Sequence, residues 1–591
     1  MEAVQKKELI RGGEFLFKQL DPEQIFIPED FDEEAKMVAE NCQTFIEKEV
    51  QPQLELLDKA ESPQDMVNCL NKAAELSLLG AAVPEQYEGL GMNFNNSMLI
   101  ADYLGGGHSF AVAFSAHTNI GTLPIVYYGD EAQKQKYLPK LATGEWKACY
   151  CLTEPDAGSD ANSGKTKAIP TADGKHYILN GQKMWITNAG FADLFIVFAK
   201  IEDDKNLSAF IVEKNFGGIS FNPPERKMGI KGSDTRQVFF NDCQVPAENL
   251  LSTRGNGFKI AVNILNIGRI KLGATNVGMA RNALNHAIRY ANERKQFNTT
   301  IASFGAIQHK IAEQATRIFA SESAIYRAGQ NIDDCTEAYI AEGINDAEAK
   351  LKSFEQFAIE CAMMKVHASE VLDYCADQTV QVFGGMGFSA EAPADRCYRD
   401  ARINRIYEGT NEINRILCIN TLLKRVAKGE LPLQKITQEK NITINSIQTI
   451  DEAKKLIKQS KNTFLLLLNE VTQHFKEQIG GEHEILMDLA NMMIEIYVAE
   501  SVMLRVEKLN QIQGSQQHTW AMAQIYLQTA VEKMQQATQN IINAYLEGDE
   551  YEKMHNYLQL ALKTPVFNAK NARRNLAQYL SKENRYTFTV A

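Results

Sequence analysis

Glu408 stands between Tyr407 and Gly409 in the string RDARINRIYEGTNEINR, just past a basic, apolar stretch of helical period. A carboxylate near apolar groups can be tuned into a base, and the glycine beside it lets the main chain approach a ligand closely. The same string also reads as a solvated turn before another helix, because glutamates are mostly exposed. YCLTEPDAGSD, Tyr150 to Asp160, puts hydroxyls, a proline and a small AGS turn at the entrance to a strand-rich region. Such a turn offers N–H groups to a polar or anionic ring, and it is equally an ordinary polar loop. NGQKMWITNAG sets Trp185 and Thr187 two apart, hence on one strand face. An indole beside a hydroxyl suits a stacked heteroaromatic, although tryptophan in a sheet is commonly core. NERKQF and VQVFGGMGF supply Arg294, Phe297, Gln381 and Gly385, suited to phosphate and close backbone contact or to routine surface and packing roles.

Several other chemistries fall away. There is no GxxxxGK[ST] loop, no HExxH and no GxSxG elbow, and His483 in GEHEIL lacks the second histidine a metal would need. GGMGF and GNGF do not make GxGxxG between a strand and a helix, so a Rossmann nicotinamide site is unsupported. With a net charge of −12 and a pI near 5.5, the chain has no basic field for a phosphate backbone, and nucleic acid is excluded as a partner. The ten cysteines form no CxxC pairs, and most of them read as reduced core residues. The N-terminal segment turns polar at DPEQ and lacks a continuous apolar h-region, and no run of about 18 apolar residues is present. A cytoplasmic, reducing location is expected.

These strings must be held by several domains, since 591 residues with 45% hydrophobic and 23% charged content exceed one ordinary core. From about Asp32 to Trp146 apolar residues recur at three and four, and from about Cys149 to Val245 the period changes to two. After RGNGFKI the helical period returns and holds to about Lys428. The expected fold is mainly α with a central antiparallel β domain, divided at 1–148, 149–256, 257–430 and 431–591. GELPLQKITQEKNITINS, with Pro432, reads as a linker or crossover. The last unit is helical, with apolar residues at 486, 489, 493, 496 and 497 on one face. That face reads as packing on the main body; docking to a membrane or partner has only weak support from the Lys-poor, Gln-rich polar faces.

Taken together, CLTEPDAGSD, NGQKMWITN, ERKQF, FGGMGF and YEGTNEI resemble the acyl-CoA dehydrogenase family over roughly Asp32 to Lys428. KMGIKGSDT, LNIGR and the helical extension are most similar to its very-long-chain branch. The resemblance implies an N-terminal helical domain, a β-barrel-like middle domain, a C-terminal four-helix bundle and an extra helical domain. It implies FAD between the β domain and the bundle, with the adenine half reaching a neighbouring subunit of a homodimer. Tyr150, Leu152, Thr153, Gly158, Ser159, Trp185, Ile186 and Thr187 are then expected to line the flavin, Thr187 near its N5 edge. Arg294, Phe297, Gln381 and Gly385 are expected on the dinucleotide tail, with Thr410, Asn411 and Glu412 completing the cradle. The acyl thioester is expected against Ser159, Asn266, Arg269, Tyr407 and Gly409, Asn266 standing where medium-chain relatives carry Asp.

The reaction so implied removes an α-proton, with Glu408 as base, and a β-hydride. Some relatives carry the base at the position matched by Gly268, which cannot serve. Val112 and Ala116 stand where medium-chain relatives place long polar residues, so a deeper apolar slot and long-chain substrates are expected. Electrons are expected to pass to an electron-transfer flavoprotein. The competing readings are an acyl-CoA oxidase that uses oxygen and a non-catalytic assembly scaffold, and peripheral membrane contact through the extension stays open.

Overall fold

The computed structural model describes residues 9–433, 444, 446–514 and 516–590. Most of the linker string, and the first eight residues of the N-terminal segment, lie outside them. The N-terminal unit is built from short helices, among them α1 (Glu33–Phe45), α2 (Phe94–Tyr103) and α3 (Ser109–Ser115). Asp32 and Asn93 start α1 and α2, each side chain accepting from a first-turn N–H that the helix leaves unpaired.

Eight strands follow: β1 (Ala148–Cys151), β2 (Lys167–Pro170), β3 (His176–Thr187), β4 (Leu194–Ile201), β5 (Ser208–Glu213), β6 (Ile219–Phe221), β7 (Thr235–Pro246) and β8 (Leu250–Leu251). They run β6-β7-β3-β2-β4-β5-β8, with β1 also on β4. Most pairs are antiparallel, while β1 and β2 meet β4 in parallel. β4 and β5 are buried almost throughout, which is why they read as near-continuous apolar runs. β3 shifts register against β7 between Lys183 and Ile186.

The bundle consists of α4 (Gly257–Glu293), α5 (Gly305–Ala341), α6 (Ala358–Phe383) and α8 (Asn411–Ala427), with the short α7 (Pro393–Ala401) before the last. Gly278 on α4 lies against α2 so closely that a Cβ there would stand 1.8 Å from the Asp102 carbonyl oxygen. The extension adds α9 (Ile450–Phe475), α10 (His483–Gln513), α11 (Gln517–Tyr545) and α12 (Ala569–Glu583).

The face of α10 carrying Leu486, Leu489, Met493, Ile496 and Tyr497 is buried, as its periodicity predicts. One apolar cluster runs from the N-terminal helices through the bundle into the extension, and the sheet has its own. Buried charges at the seam are paired: Arg327 of α5 donates to Glu500 of α10 at 2.9 Å, and Arg505 of α10 to Glu29 at 2.6 Å. All ten cysteines are buried and unbridged. Among the described residues no helix is long and apolar enough to cross a membrane.

Candidate active site

Glu408 and Gly409 form the turn between α7 and α8, and both have positive φ, 59° and 82°. A non-glycine residue in this region is strained, and it persists where its surroundings fix it. Here three donors do so, through four hydrogen bonds. Arg269 Nε donates to the Glu408 carbonyl at 3.2 Å, and Lys365 Nζ donates to the Gly409 carbonyl at 2.8 Å. Asn414 Nδ2 reaches both carbonyls, at 3.4 and 2.8 Å. Thr410 Oγ1 accepts from the Ile413 N–H and caps α8, so the turn and the helix start are one unit.

The Glu408 side chain points back onto α4 at Gly268. A Cβ at 268 would stand 2.9 Å from Oε2, so only glycine leaves the carboxyl its place. Oε2 is buried and has no hydrogen-bond partner among the described residues. Burial pushes the Glu408 pKa up to about 7, against the opposing pull of Arg269 and Lys365. Lys365 is itself drawn down to about 7 by burial. The string is therefore not a freely solvated turn: Glu408 is half-buried, with Oε2 held against α4 out of contact with water.

The carboxyl borders a cavity of about 80 Å³ between α3 and α4, walled by Val112, Ala116, Leu272 and Met279, with Thr187 and Tyr407 near the acid. Tyr150 of β1 is buried, its hydroxyl has no partner, and the Glu408 charge helps burial raise its pKa. Arg269 Nη1 donates to Asn266 Oδ1 at 2.8 Å. Asn266 is thus the prop that orients Arg269.

Two of the strings are locked together by a buried pair. Lys183 Nζ donates to Glu154 at 2.6 Å and to the Leu152 carbonyl, and Met184 N–H donates to the Thr153 carbonyl. This fixes the turn after β1 against β3. The irregularity in β3 then gives Trp185 a φ of 61° and leaves it 54% exposed, with Ile186 buried behind it. Trp185 is not core. Gly158 and Ser159 are exposed on the adjoining turn, where a Cβ on Gly158 would meet nothing within 4 Å.

The remaining predicted residues do not join this group. Arg294, Phe297, Gln381 and Gly385 gather at the other end of α4, where Tyr290 and Phe383 stack with centroids 4.1 Å apart. From Gly268 to Arg294 the helix advances about 39 Å. Phe297 is 88% exposed, and neither Gly384 nor Gly385 has a neighbour within 4 Å of an added Cβ. One chain cannot wrap both groups around a single ligand of ordinary size.

Reading motifs missed Lys365, Asn414, Glu154 and Lys183. Lys365 had one signal, a lone cation in the apolar string CAMMKVHAS, whose neighbours all face the core. Also missed was Asp400 of α7, fully buried, which accepts from the Ile230 N–H of the β domain and from His108 Nδ1 of the N-terminal unit at 3.0 Å.

The chain is similar to known proteins along most of its length. Residues 32–145, 149–243 and 255–423 match the acyl-CoA dehydrogenase N-terminal, middle and C-terminal domains, and 459–559 match a further acyl-CoA dehydrogenase C-terminal domain. A probable acyl-CoA dehydrogenase of Bacillus subtilis is 40% identical over 99% of this chain and 100% of its own. The mitochondrial very long-chain specific acyl-CoA dehydrogenase of Rattus norvegicus is 42% identical over 58% of this chain and 51% of its own. The crystal structure of an acyl-CoA dehydrogenase complexed with FAD from Bacillus anthracis superposes with a TM-score of 0.95 at 42% identity, covering 98% of this chain and 100% of that one.

Proposed function

The chain belongs to the acyl-CoA dehydrogenase family, and from that premise we propose that it dehydrogenates long-chain fatty acyl-CoA to the trans-2-enoyl thioester, with FAD as cofactor and Glu408 as base. The observation that carries the reading is the carboxyl of Glu408, whose Oε2 is buried without a hydrogen-bond partner among the described residues, at the edge of a largely apolar pocket. The residues present fit FAD. An exposed indole in a strained strand, an orphaned Tyr150 hydroxyl, Thr187 lining the same cavity as the acid and the open Gly158 on the adjoining turn form a surface suited to a large flat ring with a polar rim.

Tyr150, Leu152, Thr153, Gly158, Ser159, Trp185, Ile186 and Thr187 would hold the flavin, and Thr410, Asn411 and Glu412 would close it from the bundle. Arg294, Phe297, Gln381 and Gly385, too far off to reach the same molecule, would serve the cofactor of a second copy, which supports a homodimer. When bound, FAD accepts the β-hydride and passes the electrons on, in our proposal to an electron-transfer flavoprotein.

The chain's own part is proton transfer and exclusion of water. Glu408 takes the α-proton, and a carboxyl already biased toward its neutral form by burial accepts it readily. Its backbone N–H is proposed to face the thioester carbonyl, where charge develops. Arg269 and Lys365 hold the turn by its carbonyls and keep enough of the acid ionised to act as a base. Ser159, Tyr407 and Gly409 would border the thioester, with Arg269 and its prop Asn266 behind them.

Because the base must be unprotonated, activity grows as pH rises through its pKa. The rate of flavin reduction by acyl-CoA should climb between about pH 6 and 8, with a midpoint near the Glu408 value of about 7. A flat anaerobic stopped-flow profile across that range would count against Glu408 as the group that titrates.

Val112 and Ala116 put small apolar side chains in the pocket wall, so long chains should be preferred. Each further buried methylene is worth about 0.8 kcal/mol, and kcat/KM should rise along a series of acyl-CoAs past medium length. A profile that peaks at short chains would contradict this. Reoxidation of the bleached enzyme by air should be slow, whereas fast reoxidation would favour the oxidase reading.

A further inference from the structure

The catalytic turn is tied to the extension by an unbroken line of hydrogen bonds. Lys365 Nζ, which holds the Gly409 carbonyl, also donates to Asn411 Oδ1 at 2.7 Å. Asn411 Nδ2 donates to Glu370 Oε1 at 3.2 Å. Glu370 accepts from Arg415 Nη2 through both oxygens, at 2.7 and 2.9 Å. Arg415 Nε donates to Asn491 Oδ1 of α10 at 2.7 Å.

We propose that Asn491 and Arg415 are positioning residues, through which the extension sets the conformation of the Glu408–Gly409 turn. This rests on Glu408 being the base. Arg415 lies one helical turn from the start of α8, so its guanidinium anchors the helix end that the turn feeds. Its pairing with Glu370 is weak support by itself, because the Glu370 side chain is 42% exposed and such pairs contribute little. Arg415, Glu370 and Asn491 border a crevice of about 370 Å³ between bundle and extension, with the Arg415 side chain 14% exposed. Asn491 adds a restraint from the extension: with Nε fixed, Nη2 is aimed at Glu370, Glu370 and Ser369 together orient the Asn411 amide, Ser369 Oγ accepting from Nδ2 at 3.0 Å, and the Asn411 oxygen holds Lys365 over the Gly409 carbonyl. A turn with two successive positive φ values needs each of its carbonyl anchors.

The test uses full-length, flavin-loaded enzyme in anaerobic stopped flow, with the flavin-reduction rate and the acyl-CoA dissociation constant measured separately. Asn491→Leu removes the acceptor at similar volume, and Asn491→Asp restores one. Arg415→Lys keeps the charge but cannot reach both partners. Both Asn491→Leu and Arg415→Lys should slow reduction on the order of tenfold, with acyl-CoA affinity within about twofold of the parent and with Asn491→Asp near the parent. Unchanged reduction in both variants, a parallel loss of affinity, or failure of Asn491→Asp to restore the rate would overturn the proposal. Glu408→Gln runs alongside: if it reduces normally, the reading of the base is what fails, and a selective loss in the other variants would still mark the line of contacts.

Discussion

Glu408→Gln should keep its flavin and lose flavin reduction by acyl-CoA by 10²- to 10⁴-fold or more, the range that a positioned base contributes. The substitution preserves volume and leaves the main-chain anchors from Arg269, Lys365 and Asn414 in place, because these hold carbonyls and not the carboxyl. Oε2 has no hydrogen-bond partner to forfeit. The new amide leaves N–H groups buried against Gly268, at a cost of about 1–3 kcal/mol, which should lower stability slightly without opening the fold. Anaerobic mixing with a long-chain acyl-CoA, followed by flavin absorbance, reads the outcome. Bleaching at near the parental rate would remove Glu408 from the mechanism.

Asp400→Ala should be the most destabilising single change in the body of the protein. Asp400 is wholly buried and binds three parts of the chain at once: α7 carries it, Ile230 N–H donates from the β domain, and His108 donates from the N-terminal unit. Removing one member of a buried pair leaves an uncompensated charge and costs about 3–5 kcal/mol. His108 adds strain of its own, with a φ of 54°. Burial pulls the His108 pKa down, and its hydrogen bonds to Asp400 and Cys397 outweigh that and raise it to about 10. A histidine held charged by a partner stabilises the fold fully below its unfolded value near 6.5, and that contribution fades as pH rises toward 10. Thermal melts should therefore show a large drop for Asp400→Ala at pH 6 and a smaller one at pH 9. Equal drops at both pH values would mean that His108 is not the charge being stabilised.

Much of this architecture was legible before any coordinates. The change of period from about three and a half to two, and back, separates helices from sheet because apolar residues must face a core in either case. The buried face of α10 followed from the same rule. What periodicity could not give was irregularity. Trp185 and Thr187 were expected side by side from simple alternation, yet the register shift after Lys183 is what turns the indole outward. The glycine at 409 hinted at an unusual turn, but the positive φ of Glu408 itself follows from carbonyl anchors on α4, α6 and α8, invisible in a local string. Lys365 resembled a stray cation, and Asp400 pairs with a histidine 292 positions away. Contacts of that span carry no local pattern. The resemblance already sets the cofactor strings apart as two groups, but the distance between them follows from Gly257–Glu293 being one unbroken helix.

That helix has a consequence for how the chain can vary. One rod carries the seat of the acid near its beginning and the Arg294 group, proposed to face a second copy's cofactor, at its end, so its length is a spacing and its pitch a phase. Replacing an outward residue along it changes neither. Adding or deleting one residue rotates one end against the other by about 100°, and in a symmetric pair it would misalign both catalytic centres together. Between Gly268 and Arg294 only the outward positions are free to drift, and the count is fixed.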